Sequence, residues 1–169
     1  CTMPHAVRAV FAVDAPLDWY RLWENATMVL EQRPPGANVE EAQRIRTALT
    51  PRLGKTPTPS SQRYLRASPL AAKAREGGNA RKLAGLAVRA YTEPDVQWWM
   101  ENRGLDYYGM NAVDAASLIR HLKLLGNASA ELIVTTGRGY RADGTRHPHS
   151  WSIVDQGELA QWVAAHLVS

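Results

Sequence analysis

The chain has a single cysteine, so no disulfide can form within it, and cysteine usage leaves the redox compartment open. No apolar run approaches the ~18 residues that a membrane-spanning helix needs. The net charge is +4 and the sequence pI near 9.5. Yet the arginines, from Arg44, Arg46 and Arg52 through Arg63, Arg66, Arg75 and Arg81, form no compact run. They are not interleaved with aromatics, so they read as solvated helix faces rather than a nucleic-acid platform. The five histidines are scattered and no H-E-x-x-H occurs, which leaves no metal-binding motif. There is no internal repeat and no low-complexity segment. The first residues, Cys1 to His5, form neither a charged n-region nor an apolar h-region, so no signal peptide is visible and the compartment is unknown.

What is present fits one domain: 169 residues, 45% hydrophobic and 21% charged, are enough to bury a sizeable core. Ala6 to Val13 is a short, valine-rich run closed by Asp14-Ala15-Pro16, which predicts a buried strand and a turn. Asp18 to Leu30 carries Trp19, Leu22, Trp23, Ala26 and Leu30 at helical spacing. After Pro34-Pro35-Gly36, Asn38 can cap a helix from Val39 to Leu49, closed by Pro51 and Gly54. Ser68 and Pro69 read as the N-cap and first residue of a further helix ending near Gly77-Gly78. Leu86 to Tyr91 and Ala130 to Thr136 predict two more strands. Between them lie a short helix over Val96 to Asn102 and a longer one, capped by Asn111 or Asp114, running through Leu125. Gly157 to Leu167 predicts the last helix.

Strands that read as continuous apolar runs and alternate with helices predict an α/β fold with a parallel sheet covered on both faces. The stretch from Asp18 to Gly85 is far longer than a simple crossover needs. It predicts a helical cap or lid, roughly residues 18–85, inserted between two strands. In such a sheet, ligands bind beyond the carboxyl ends of the strands. Asp95 follows the second strand there, and His149, in Arg146-His147-Pro148-His149-Ser150-Trp151, follows the third. A carboxylate that accepts the Nδ1 hydrogen of an imidazole fixes its tautomer and stabilises the imidazolium, which is the acid–base half of a nucleophilic triad.

The segments Val88 to Asp95, Asn111 to Gly126 and Arg146 to Trp151 resemble the C-terminal portion of an α/β-hydrolase-fold serine hydrolase, of the esterase or peptidase kind. In that resemblance Ala6 to Asp14, Leu86 to Tyr91 and Ala130 to Thr136 look like the family's sixth, seventh and eighth strands. Asp95 then looks like the triad acid and His149 like the triad histidine. The resemblance departs from the family in one large respect: no G-x-S-x-G occurs, so the nucleophile elbow is missing. It therefore implies a partial domain whose partner is the N-terminal part of the same domain. The first strand would then show an unpaired, apolar edge or face. The implied activity is cleavage of an ester or amide bond in a small-molecule or peptide acyl substrate, with no cofactor and no nucleic acid. This chain alone would be inactive.

Other assignments stay open. His147 competes with His149, since its spacing from the strand is nearly the same, and Glu93 competes with Asp95. Trp98, Trp99, Tyr107 and Tyr108 line a substrate pocket in one reading and pack the core in the other. Trp19 and Trp23, one turn apart, suit packing. Asp14 and Asp18 shape a turn in one reading and face the site in the other. Cys1 could serve as an N-terminal nucleophile, but such enzymes have antiparallel sheets between helices. The alternative to an enzyme is a non-catalytic binding or scaffold module on the same fold.

Overall fold

The computed structural model describes residues 7–167. Cys1, His5 and the first residue of the predicted opening strand, Ala6, lie outside them. The described chain is mixed α/β, with a parallel sheet of three strands in the order β1 (Ala9–Val13), β2 (Ala87–Thr92), β3 (Ala130–Val134). Register pairs Val13 with Tyr91 and Thr92 with Val134, so the carboxyl ends of the strands lie side by side. The residues just past them, Asp14, Glu93 and Thr135, therefore share one rim.

Alternation along β2 explains why most of its residues are apolar on both faces. Val88 and Ala90 point to one face, against Ala115, Leu118, Ile119 and Leu122 of α5 (Asn111–Leu124). Ala87 and Tyr91 point to the other, against Leu159 and Trp162 of α6 (Gln156–Leu167). Arg89 also lies on the α6 side. It is kept there by Glu131, Glu158 and the face of Trp162, 4.8 Å from the guanidinium carbon.

β1 pairs only with β2 among the described residues, and Phe11 is 40% exposed beside Trp151, ring centroids 6.1 Å apart. The expected open apolar edge is present. An apolar groove of about 420 Å³ runs along it past Val10, Leu17, Leu70 and Leu118.

Between β1 and β2 the chain is helical, as predicted: α1 (Trp19–Gln32), α2 (Val39–Leu53) and α3 (Gln62–Ala67), then 3-10 turns over Arg75–Leu83. Asp18 caps α1 by accepting from the Tyr20 and Arg21 amides, and Asn38 caps α2 through the Glu41 amide. α2 continues past Pro51 to Leu53, because a proline in the last turn gives up only one amide donor. The predicted helix starting at Ser68 does not form. Ser61 caps α3 instead, and Ser68 closes it. The Ser68 hydroxyl takes the Trp19 amide and donates to the Leu70 carbonyl, tying α1 to this turn. The following Glu76, Gly77 and Gly78 are all left-handed, which a helix cannot accommodate.

Asp114, 1% exposed in the first turn of α5, anchors this helical stretch to the sheet. Its carboxylate accepts from the Leu17 and Asp18 amides and from Arg21 Nε at 2.6 Å. The cap of α5 is Met110 rather than Asn111 or Asp114, which frees both side chains for those longer-range bonds. A further helix, α4 (Val96–Arg103), follows β2 directly.

Candidate functional site

His149 lies at the rim formed by the strand ends, but its carboxylate partner is not Asp95. His149 Nδ1 sits 2.7 Å from Asp14 Oδ2. Asp14 is 4% exposed, while the His149 side chain is 36% exposed. The first residue past β1, Asp14 adopts φ 38°, a left-handed conformation that aspartate tolerates better than most residues. Its amide donates to the Tyr91 carbonyl at 2.8 Å. Its second carboxylate oxygen accepts from the Thr92 hydroxyl at 3.1 Å. Asn111 Nδ2 holds the Asp14 carbonyl at 2.7 Å. Both oxygens of a nearly buried carboxylate are thus directed, and one of them fixes the imidazole tautomer: Nδ1 carries the proton and Nε2 is the free acceptor.

Asp95 is held elsewhere. Its Oδ1 caps α4 through the Trp98 amide at 3.0 Å, and its Oδ2 pairs with Arg146 Nη1. Asp95 is the N-cap of α4, so its carboxylate turns toward that helix's N-terminus rather than across the rim. The Trp98 amide first, and Arg146 with it, hold its pKa below the usual carboxylate range, against the opposing effect of burial. Glu93, 2% exposed, is not near the imidazole either. It accepts from the Thr135 hydroxyl, the Arg138 amide and Arg146 Nη2. Arg146 thereby bridges two acids on the β2 end and fixes the start of the histidine loop. His147 N donates to the Gly139 carbonyl, closing that loop behind it.

His147 is separated from His149 in role as well as position. Arg103 Nη2 lies 2.9 Å from His147 Nε2, and since a guanidinium can only donate, this nitrogen is the acceptor. The other ring nitrogen, Nδ1, is buried without a partner. Burial first, then the charges of Arg141 and Arg103, push the His147 pKa down, so the ring stays neutral. It has no lone pair left for proton transfer.

The predicted aromatics divide. Trp99 is buried and meets the His149 ring edge-on at 5.7 Å. Trp98 packs on His147 at 5.1 Å and on Trp99 at 5.6 Å. Tyr107 and Tyr108 are exposed and stack only on each other, so they do not line the site. Sequence reasoning passed over Asn111 and Thr92 as supports of Asp14. For Asp14 itself the position past a strand end was a usable signal, because every strand end of a parallel sheet contributes to the same rim.

A pocket of about 280 Å³ opens beside His149, between α1 and α2 on one side and α4 with the segment after it on the other. Trp99, Arg103, Leu105 and Asn111 form one wall; Leu22, Ala26, Val29 and Ile45 form the facing one. The helices inserted between β1 and β2 therefore cover the rim where His149 stands. Among the described residues no group of acids, histidines and cysteines is placed to hold a metal ion, and no helix is long and apolar enough to cross a membrane.

No protein-family model, curated protein or solved structure matches the chain.

Proposed function

We propose that this chain carries the acid–base half of an acyl-transfer site that cleaves an ester or amide bond, on an α/β-hydrolase-like fold. The observation that carries the reading is the 2.7 Å contact of Asp14 Oδ2 with His149 Nδ1, with Nε2 unengaged beside an apolar pocket. In this reading Asp14, not Asp95, orients the histidine. The nucleophilic hydroxyl, in this reading, comes from outside the described residues, among which no serine, threonine or cysteine is hydrogen-bonded to Nε2.

The chemistry follows from the geometry. The hydroxyl oxygen attacks the substrate carbonyl as Nε2 takes its proton. The buried Asp14 carboxylate stabilises the imidazolium that forms; Thr92 keeps that carboxylate from turning away, and Asn111 holds the Asp14 backbone carbonyl. The imidazolium then protonates the departing alcohol or amine. A water gives its proton to Nε2 and attacks the acyl group; the imidazolium returns that proton to the departing nucleophile oxygen as the acid is released. The helices over residues 18–85 cover the site and shape which acyl group enters.

The test is labelling of the protein that carries this chain by a fluorophosphonate, together with hydrolysis of p-nitrophenyl esters. Labelling and turnover that vanish in His149→Ala support the reading. An unlabelled, inactive native protein, or a His149→Ala variant as active as native, overturns it.

A further inference from the structure

The pocket beside His149 has an apolar body and a cation at its wall that no carboxylate among the described residues neutralises. Leu22, Ala26, Val29, Ile45, Trp99 and Leu105 supply the apolar surface. The asparagines that also line it are engaged with the protein: Asn25 donates to the Gly109 carbonyl, Asn38 caps α2 and Asn111 holds the Asp14 carbonyl. Arg103 differs. It sits half-buried in the last turn of α4, with its guanidinium 5.7 Å from the Trp98 ring and one N–H given to the neutral His147.

Among the described residues no carboxylate lies within ion-pair distance of Arg103. Glu41, which lines the same pocket from the first turn of α2, forms no ion pair with it. Arg146, by contrast, is matched by two acids, Glu93 and Asp95. A guanidinium has five donors in a planar fork suited to a carboxylate. A half-buried cation without a counter-charge is costly, and an anion arriving there recovers that cost.

We infer that the pocket binds an acyl group with a short apolar chain ending in a carboxylate, which Arg103 takes as a forked pair. The pocket holds roughly nine water volumes, so the chain is short rather than fatty. With the carboxylate at Arg103, the apolar chain lies along Trp99 and the other end of the acyl group reaches His149. The inference rests on the acyl-transfer reading for what happens to the ligand, but not for its binding.

Two probes separate these. Monomethyl glutarate and methyl valerate have similar length and differ in the terminal charge. Ligand-observed NMR titration of the native protein should find the anionic ester bound about 10- to 100-fold more tightly, the worth of charge-assisted hydrogen bonds in a sheltered site. Arg103→Gln should remove that preference, so that the two esters bind alike, and Arg103→Lys should keep part of it. Equal affinities in the native protein overturn the inference even if the Arg103→Gln variant does not fold. A preference that survives in Arg103→Gln also overturns it. Hydrolysis of the same pair is read separately: selective binding without turnover leaves the anion subsite standing and counts against the acyl-transfer reading.

Discussion

Arg103 occupies, at 2.9 Å, the one nitrogen of His147 that could accept a proton. This contact decides between the two histidines of the loop more firmly than their positions do. A His147→Gln variant, whose side-chain oxygen can still accept from Arg103, is expected to keep ester hydrolysis within a few-fold of native. Steady-state assays with a p-nitrophenyl ester check this; a collapse comparable to that of His149→Ala would return the base role to His147.

The two candidate acids give opposite expectations. Asp14→Asn keeps the shape but loses the charge that orients and stabilises the His149 imidazolium, so kcat should fall on the order of 10⁴-fold. Asp95→Asn should leave kcat near native, since its bonds go to the Trp98 amide and Arg146. The pair is measured on the same substrate, and a larger loss in Asp95→Asn would reverse the assignment.

Arg146 joins Glu93 and Asp95 at the end of β2. Arg146→Met leaves the carboxylate of Glu93 buried without its cation. Removing one member of a buried pair costs about 3–5 kcal/mol, and chemical denaturation should show a loss of that size. A Glu93→Gln, Arg146→Met double variant should recover part of it, because the orphaned charge is gone.

Acid should weaken the fold through two groups. The His147 pKa is lowered by burial, so the unfolded chain takes up a proton before the folded one. Stability is full above the ordinary histidine range, near pH 6.5, and falls as pH drops below it. Asp95 is also depressed, and adds a second loss below about pH 4, its ordinary range. Melting temperatures across pH 3–8 should show both steps; His147→Gln should flatten the upper one and Asp95→Asn the lower.

Gly139 is left-handed, φ 87°, and a methyl there would lie 2.8 Å from the His147 carbonyl and the Pro148 Cα. Gly139→Ala should therefore shift the histidine loop and cost about 1–3 kcal/mol. The expected signature is a lower kcat with little change in the affinity of an inert ester, because the pocket walls are on other elements.

The strands were legible in the sequence because a buried parallel strand is largely apolar on both faces, and Ala87–Thr92 is, Arg89 being the exception that Glu131 and Glu158 neutralise. Caps were legible where the capping side chain bonds only its own helix, as at Asn38. They were not legible where tertiary bonds intervene: Ser68 next to Pro69 has the local form of a helix start, yet its hydroxyl serves Trp19 and Leu70. His149 was found from its place after a strand. Its partner was not, because chain order favoured the strand preceding β3. The loop instead crosses the end of β2 and reaches β1; the place of Asp14 past a strand end made it a candidate but did not say which strand end the histidine meets. The pairing of Tyr107 with Tyr108, exposed on each other, shows the converse: adjacent aromatics in sequence need not be a binding wall.

Asp14 and His149 are 135 positions apart, and Asp114 meets Leu17 and Asp18 across 97 and 96. No early segment of the chain can hold both halves of the pair. Contacts of such long sequence separation form only after the intervening loops have closed, so the dyad is expected among the last features to assemble on folding. For the same reason, local opening of either the first turn or the histidine loop separates the two residues without unfolding the sheet. The His149 Nδ1 proton, followed by NMR, would then report the integrity of the two most distant loops of the fold at once.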